Sequence, residues 1–241
     1  MLITIALIIG LSAASAAATG FGFNLVSAPL LTLLYPPESV VVLTLLLGVF
    51  ASGLLVLRPE IRRELDWGVI RPLYLSSLAG MPVGTALLLW GPARILKAVI
   101  AAVTAAFAIV MLTRLRPRFR GATVETVAVG VLSGILSTST SLNGPPVALY
   151  LLGRGFAKDR FRGNMVVYVL LATATSVVLL GVGGAIHVAA LLLMVKLLPV
   201  LVLGFAGGVA LAGGLSERGF EAMVLGFLVI VGLLGIGSAL Q

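Results

Sequence analysis

The residues of this sequence that could support chemistry lie in two short polar stretches within otherwise apolar sequence. The stronger stretch runs from Ser133 to Tyr150, and its residues 137–146 hold five hydroxyl side chains, one amide, one glycine and two prolines. A weaker copy, TGFGFN, occupies residues 19–24 and is followed by Pro29. Hydroxyl and amide side chains supply neutral hydrogen-bond donors. The two stretches therefore predict the binding of an anion.

Each polar stretch is expected to break a membrane helix just before a short apolar helix. A break at bilayer depth frees backbone groups that must face protein or a watery cavity, and a helix N-terminus attracts negative charge. Facing each other, the two breaks are predicted to form one anion site. The candidate substrate-binding residues are Gly22, Phe23, Asn24, Ser139, Thr140, Ser141, Asn143, Gly144 and Lys196. The alternative is that the asparagine and serine side chains only cap the two short helices.

Two ionisable residues each have two interpretations. Lys196 lies well inside an apolar segment, where an ionisable residue indicates a function such as pairing with the anion or moving a proton. Alternatively, the Lys196 side chain extends to the outer interface of the membrane. The single histidine, His187, lies in a loop between apolar segments, where an interface position and a role in proton coupling both stay open.

The inventory of side chains argues against an enzyme. The sequence has one histidine, no cysteine and eight acidic residues, and it contains no phosphate-binding loop of the nucleotide-hydrolase type. We therefore expect no catalytic residue, no metal and no cofactor. The formal net charge of +8 does not predict nucleic-acid binding, because the basic residues lie in short loops between apolar segments, where they orient membrane proteins.

Composition places the chain in a lipid bilayer. Of its 241 residues, 60% are hydrophobic and only 10% are charged, whereas about 25% of the residues of a soluble domain are charged. Apolar runs of about 18 or more residues, the length of a membrane-spanning helix, recur along the chain. The predicted fold class is therefore an all-α polytopic membrane protein.

The two halves of the sequence are predicted to be one repeat within a single transmembrane domain, residues 1–241. Three residues of the first half have counterparts 124 positions on: Gly80 and Gly204, Gly84 and Gly208, and Arg94 and Arg218. Repeat one covers about residues 1–115 and repeat two about residues 122–241. Such duplication is typical of secondary transporters. The paired glycines are predicted to be surfaces on which helices pack closely.

The distribution of charge decides between two topologies. If the first segment of each half crosses the bilayer fully, the basic loops at 58–66, 114–120 and 154–162 cannot all lie on one side. If each half instead opens with a re-entrant hairpin of two partial helices before three transmembrane helices, these loops and Arg218 gather twelve of the sixteen basic residues on one side. The positive-inside rule favours this second arrangement. It predicts two inverted-topology repeats in a cell inner membrane, with both termini extracytoplasmic.

The order of these motifs resembles the TauE/SafE family, the sulfite exporter family of bacterial and archaeal membrane proteins. The resemblance covers nearly the whole chain. It rests on the duplicated halves, on a break before a short Pro-containing helix in each half, and on glycines before the last span of each half. The segments are GFGFNLVSAPLL (20–31), STSLNGPPVALYLL (139–152), LAGMPVGTALL (78–88) and LGFAGGVALAGGL (203–215).

The resemblance implies a secondary transporter of sulfite, sulfonates or related small sulfur-containing anions, usually an exporter coupled to the proton gradient. The chain carries Phe21, Phe23 and Leu142 where glycines are frequent in the family, which predicts a narrower or more apolar site. Alternatives are a carrier of other small carboxylate or inorganic anions, a passive anion channel and a non-transporting scaffold. The expected partners are a small anion, the lipid bilayer and, as an open alternative, a second copy of the chain in a homodimer.

Overall fold

The computed structural model describes residues 2–20, 22–63, 65–113 and 118–212, which fold entirely into helices, turns and loops. The helices are α1 (Leu2–Thr19), α2 (Phe23–Thr32), α3 (Pro37–Val56), α4 (Pro59–Arg62), α5 (Trp67–Trp90), α6 (Ala93–Leu112), α7 (Thr123–Thr140), α8 (Gly144–Gly153), α9 (Lys158–Val182) and α10 (Val188–Ala212). Phe21, Arg218 and the predicted last span from Phe220 to Leu240 lie outside the described residues. The predicted all-α fold class is confirmed.

Five of the described helices are long and apolar enough to cross a membrane, namely α3, α5, α6, α9 and α10. Helices α2 and α8 have only 10 residues each, too few to span the hydrocarbon core at about 1.5 Å per residue. The protein is therefore a multi-pass membrane protein. The sequence predicts that each half opens with a broken hairpin that precedes the long spans. The observed order of long and short helices agrees with this prediction.

Both predicted helix breaks are present, and both are shorter than the sequence indicated. The first break centres on Gly20 and Gly22, whose φ angles of 87° and 105° lie in the left-handed region that glycine adopts readily. Phe23 and Asn24, predicted to lie in this break, are instead the first two residues of α2. The correction follows from Gly22, whose carbonyl oxygen already accepts the Val26 N–H as the start of helical bonding.

The second break comprises residues 141–143, so the prediction that residues 137–140 lie in it was wrong. These residues form the last turn of α7, and the helix ends at Ser141, which has a φ angle of 62°. The reason is local hydrogen bonding. The Ser139 hydroxyl donates to the Ile135 carbonyl at 2.7 Å, and the Thr140 hydroxyl donates to the Leu136 carbonyl at 2.7 Å. Hydroxyls that bond back to their own helix satisfy themselves without breaking it.

Helix α8 folds back along α7 and forms a hairpin with it. Near the break, the Ser133 hydroxyl donates to the Asn143 carbonyl at 2.6 Å. Farther from the break, the hydroxyls of Thr126 and Tyr150 lie 2.7 Å apart. Residue numbers fall along α7 as they rise along α8, so the two helices are antiparallel, as a re-entrant hairpin requires.

The two halves exchange helices in their packing. Helix α5 packs on α7, and helix α10 packs on α1. The predicted repeat makes α10 the counterpart of α5, and α1 the counterpart of α7. A Cβ added to Gly84 would overlap with the backbone of Ile135, and one added to Gly208 would overlap with the backbone of Ala14. The prediction that these glycines let helices pack closely is therefore confirmed.

Helices α3 and α9, which the predicted repeat makes equivalent, cross each other in opposite directions. Leu55, near the end of α3, shares a small apolar cluster with Val166, near the start of α9. At the other end of the contact, Thr44 of α3 and Thr173 of α9 both bond to residues of the second break. The α3–α9 pair is thus antiparallel. The pairs α1–α10 and α5–α7 are parallel, because residue numbers rise together along the two helices of each contact.

Replacing Gly208 with alanine is expected to separate α10 from α1 and destabilise the protein. Overpacking of a tight contact typically costs about 1–3 kcal/mol, so we expect a lower Tm in detergent by differential scanning fluorimetry. The neighbouring Gly207→Ala change is the matched control, because no atom lies within 4 Å of a Cβ added there. Equal Tm values for the two variants would contradict the close contact.

Candidate functional site

The two helix breaks face each other across one cavity of about 30 Å³, room for one or two water-sized groups. Helices α3 and α9 complete its wall, with Gly48, Ser52 and Leu55 from α3 and with Val166 and Val169 from α9. The predicted substrate-binding residues that line the cavity are Gly22, Phe23, Asn24, Ser141, Asn143 and Gly144. The structure thus brings together most of the residues that the two polar stretches predicted.

The side chain of Asn24 is buried in this wall without a hydrogen-bond partner for its oxygen. Asn24 is 8% exposed, and its Oδ1 atom contacts no donor among the described residues. The opposing residue of α3 is Gly48, where an added Cβ would lie 2.9 Å from Oδ1. The N-cap of α2 is Gly22, so the alternative that Asn24 serves as a helix cap does not hold. A buried amide without a partner is costly unless a ligand or water completes it.

Asn143 has a different environment from Asn24, although the sequence makes them a pair. Its Nδ2 atom donates to the Thr173 hydroxyl at 3.0 Å and to the Ser137 hydroxyl at 3.3 Å. Its backbone carbonyl accepts the Ser133 hydroxyl at 2.6 Å. Asn143 is the N-cap residue of α8, yet its side chain makes no capping bond. This asparagine ties the second break to α7 and α9.

Ser141 is held by a residue that sequence reasoning missed. Thr44 Oγ1 of α3 lies within hydrogen-bond distance of two acceptors, Ser141 Oγ at 3.0 Å and the Val40 carbonyl oxygen at 2.8 Å, and its single proton bonds to one of them at a time. The sequence could have indicated Thr44, because it is a polar residue inside a long apolar span. Gly48 and Ser52 follow Thr44 at intervals of four residues along α3, and both line the cavity. Small residues of α3 therefore line the cavity, and Thr44 supports its wall through Ser141.

The electrostatic character of the cavity comes from backbone groups. Every described residue that lines it is uncharged, and the first turns of α2 and α8 begin at its wall. Helix N-termini carry free N–H donors and partial positive charge. Among the described residues, no group of three or more His, Asp or Glu side chains could hold a metal ion. The arrangement suits a small ligand that accepts hydrogen bonds.

The sequence from residue 3 to residue 234 matches the family model described as Sulfite exporter TauE/SafE. The chain belongs to the TauE/SafE family. No curated protein and no solved structure was found to match it. Membership confirms the resemblance inferred from the order of the motifs, and the family is one of membrane transporters.

Two of the three residues that the resemblance marks as departures from frequent glycines lie in the cavity wall of this TauE/SafE protein. Phe23 and Leu142 are both buried, and both line the cavity. The prediction of a narrower, more apolar site requires large apolar side chains in the cavity wall, and Phe23 and Leu142 lie there. The third position, Phe21, lies outside the described residues.

Three of the predicted substrate-binding residues of this TauE/SafE protein do not line the cavity. Ser139 and Thr140 are buried in the last turn of α7, where their hydroxyls bond to carbonyls of the same helix. Lys196 is exposed on α10, away from the cavity. A substrate role for these three residues stays a prediction, and the position of Lys196 is the one expected of a side chain that extends to the membrane interface.

Proposed function

We propose that this protein is a secondary transporter that exports sulfite or a related small sulfur-containing anion, coupled to the proton gradient. The observation that carries the proposal is the cavity between the two helix breaks, with the Asn24 amide in its wall and the Oδ1 atom of that amide without a partner among the described residues. The amide offers N–H groups to the anion. Its free oxygen can accept a hydrogen bond from the O–H group of hydrogen sulfite or of a bound water. Family membership supplies the class of substrate.

The proposed topology has two inverted repeats that rock about the cavity. Antiparallel packing of the equivalent helices α3 and α9 supports inversion, because a twofold axis in the membrane plane reverses the direction of each helix. The basic loops are placed in the cytoplasm and both termini outside, by the positive-inside rule. Leu55 and Val166 belong to the ends of α3 and α9 that adjoin these loops. A cavity that reaches them is therefore oriented toward the cytoplasm.

The proposal is tested with purified protein in proteoliposomes that contain sulfite. We expect saturable sulfite efflux that speeds up when a proton gradient is imposed, and no ohmic current. In detergent, sulfite is expected to raise the Tm, because a ligand that binds only the folded state stabilises it by mass action. Acetate and sulfate are tested in parallel. Acetate shows whether the site distinguishes sulfite from a carboxylate, and sulfate shows whether it distinguishes sulfite from a larger sulfur oxyanion.

Other outcomes of the same experiment identify the alternatives. Unsaturable ohmic current would indicate a passive anion channel. Saturable flux of carboxylates without sulfite would indicate a carrier of other anions. An absence of flux and of any Tm shift across the anion panel would contradict the transport proposal and favour a scaffold.

A further inference from the structure

A short segment after α3 carries one buried apolar side chain. This α4 segment, residues 57–63, leaves the end of α3, forms the single turn of α4 and packs on α9. Within it only Ile61 is buried, with 3% of its surface exposed. The Ile61 N–H donates to the Arg58 carbonyl at 3.1 Å, and Arg62 Nε donates to the Val56 carbonyl at 2.7 Å. The α4 segment therefore folds back over the end of α3 with Ile61 turned inward.

Ile61 packs on two residues of the cavity wall. It forms a buried apolar cluster with Leu55 of α3 and Val166 of α9. Leu55 and Val166 line the cavity, whereas Ile61 is not one of its lining residues. Both wall residues belong to the ends of their helices that adjoin the basic loops at 58–66 and 154–162. Ile61 therefore lies between the cavity and the side of the protein that carries these loops.

The polar contacts beside the α4 segment lie near the surface. Asp66 donates its N–H to Asn164 Oδ1 at 2.9 Å, and its carboxylate pairs with the Arg160 guanidinium. Ion pairs at the surface contribute little to stability, and the four residues of α4 form few internal hydrogen bonds. Burial of Ile61 is therefore the main interaction that holds the α4 segment on the cavity wall.

We propose that Ile61 is the gate residue that closes the cavity on the side of the basic loops. Its cluster with Leu55 and Val166 is an apolar constriction, and such constrictions exclude hydrated ions. A segment with few buried contacts can open locally while the rest of the fold stays intact. An anion enters from this side when the α4 segment lifts and the Ile61 side chain leaves the cluster. The inference rests on the proposed function only in the identity of the ion that passes.

The test uses a single thiol in the cavity wall, because the natural sequence has no cysteine. Ser52→Cys places that thiol in the wall, and a charged, water-soluble methanethiosulfonate reagent modifies it in purified protein. We expect slow modification with isoleucine at position 61. Adding Ile61→Ala is expected to raise the rate about tenfold or more, because opening then exposes less apolar surface. Ile61→Val, with an intermediate rate expected, replaces the alanine variant if that variant does not fold.

Leu57→Ala is the matched control, because it shortens an apolar side chain of the same segment that is 65% exposed. We expect it to leave the modification rate unchanged. A second reporter, Thr104→Cys, is buried on α6 outside the cavity wall and is expected to stay unreactive when Ile61→Ala is added.

Equal modification rates with isoleucine and with alanine at position 61 would overturn the gate. A parallel rise at the Thr104→Cys reporter would do the same, because it would show a general loosening of the fold. These measurements contain no sulfite. A wild-type protein that transports no sulfite would therefore remove the proposed function and leave the gate to be judged by the modification rates.

Discussion

Asn24→Ala is expected to weaken sulfite transport about tenfold to a hundredfold, while the Tm of the anion-free protein stays nearly unchanged. The Asn24 Oδ1 atom has no partner within the described residues, so truncation breaks no bond to that atom inside the protein. A hydrogen bond to a charged group contributes about 1.5–3 kcal/mol, and about 1.4 kcal/mol changes an affinity tenfold. The measurements are initial rates in proteoliposomes and the Tm with and without sulfite.

Ser27→Ala is the control for Asn24, because it removes a buried polar group from the same short helix. The Ser27 hydroxyl donates to the Phe23 carbonyl at 2.8 Å within α2, and Ser27 does not line the cavity. We expect normal sulfite KM in this variant. Equal KM values for Asn24→Ala and the wild type would show that the unpartnered amide does not contact the substrate.

Asn143→Ala is expected to lower the stability of the protein itself, by about 1–3 kcal/mol, because it removes two buried hydrogen bonds and takes the Asn143 donor away from the Thr173 hydroxyl. Its Nδ2 atom bonds to Ser137 of α7 and to Thr173 of α9, so the second break loses these side-chain bonds to both helices and keeps the bond between the Ser133 hydroxyl and the backbone carbonyl of residue 143. Transport is expected to fall as a consequence of the displaced break. The Tm of the anion-free protein, measured by scanning fluorimetry, is the decisive quantity.

The control for Asn143 is Ser139→Ala, four residues earlier in the same polar stretch. The Ser139 hydroxyl donates to the carbonyl of Ile135 in its own helix, so its removal is expected to change Tm little. The contrast separates bonds that join helices from bonds within one helix. An Asn143→Ala protein as stable as Ser139→Ala would contradict the assigned role of Asn143.

The sequence was sufficient to predict the two breaks and their meeting at one site. Left-handed backbone at Gly20 and Gly22 requires glycine, and Pro145 suits the first turn of α8. These requirements are local, so residue types reveal them directly. The pairing of Gly84 and Gly208 also indicated close helix contacts, because few other residues permit them in a membrane bundle.

The boundaries of the second break and the roles of individual polar groups could not be predicted, since they depend on partners distant in the chain. The Thr140 hydroxyl can favour a helix break or can bond to a carbonyl of its own helix, and only the backbone geometry decides between the two. Asn24 and Asn143 have the same side chain and equivalent positions, yet only Asn143 meets hydroxyls of a neighbouring helix. The contacts of Arg162 with the Ala17 carbonyl and with Gly20 could not be predicted either, because the positive-inside rule already accounts for a basic residue at this position.

The exchange of helices between the halves has a consequence for how the protein is made. Helix α1 is synthesised before the other described helices, but the surface formed by Gly10 and Ala14 packs against Gly204 and Gly208 of α10, the last of the described helices. Until then this surface of α1 must be covered by lipid or by the insertion machinery. A nascent chain truncated before α10 would therefore insert its early spans without closing the fold, and neither half alone forms a self-sufficient unit.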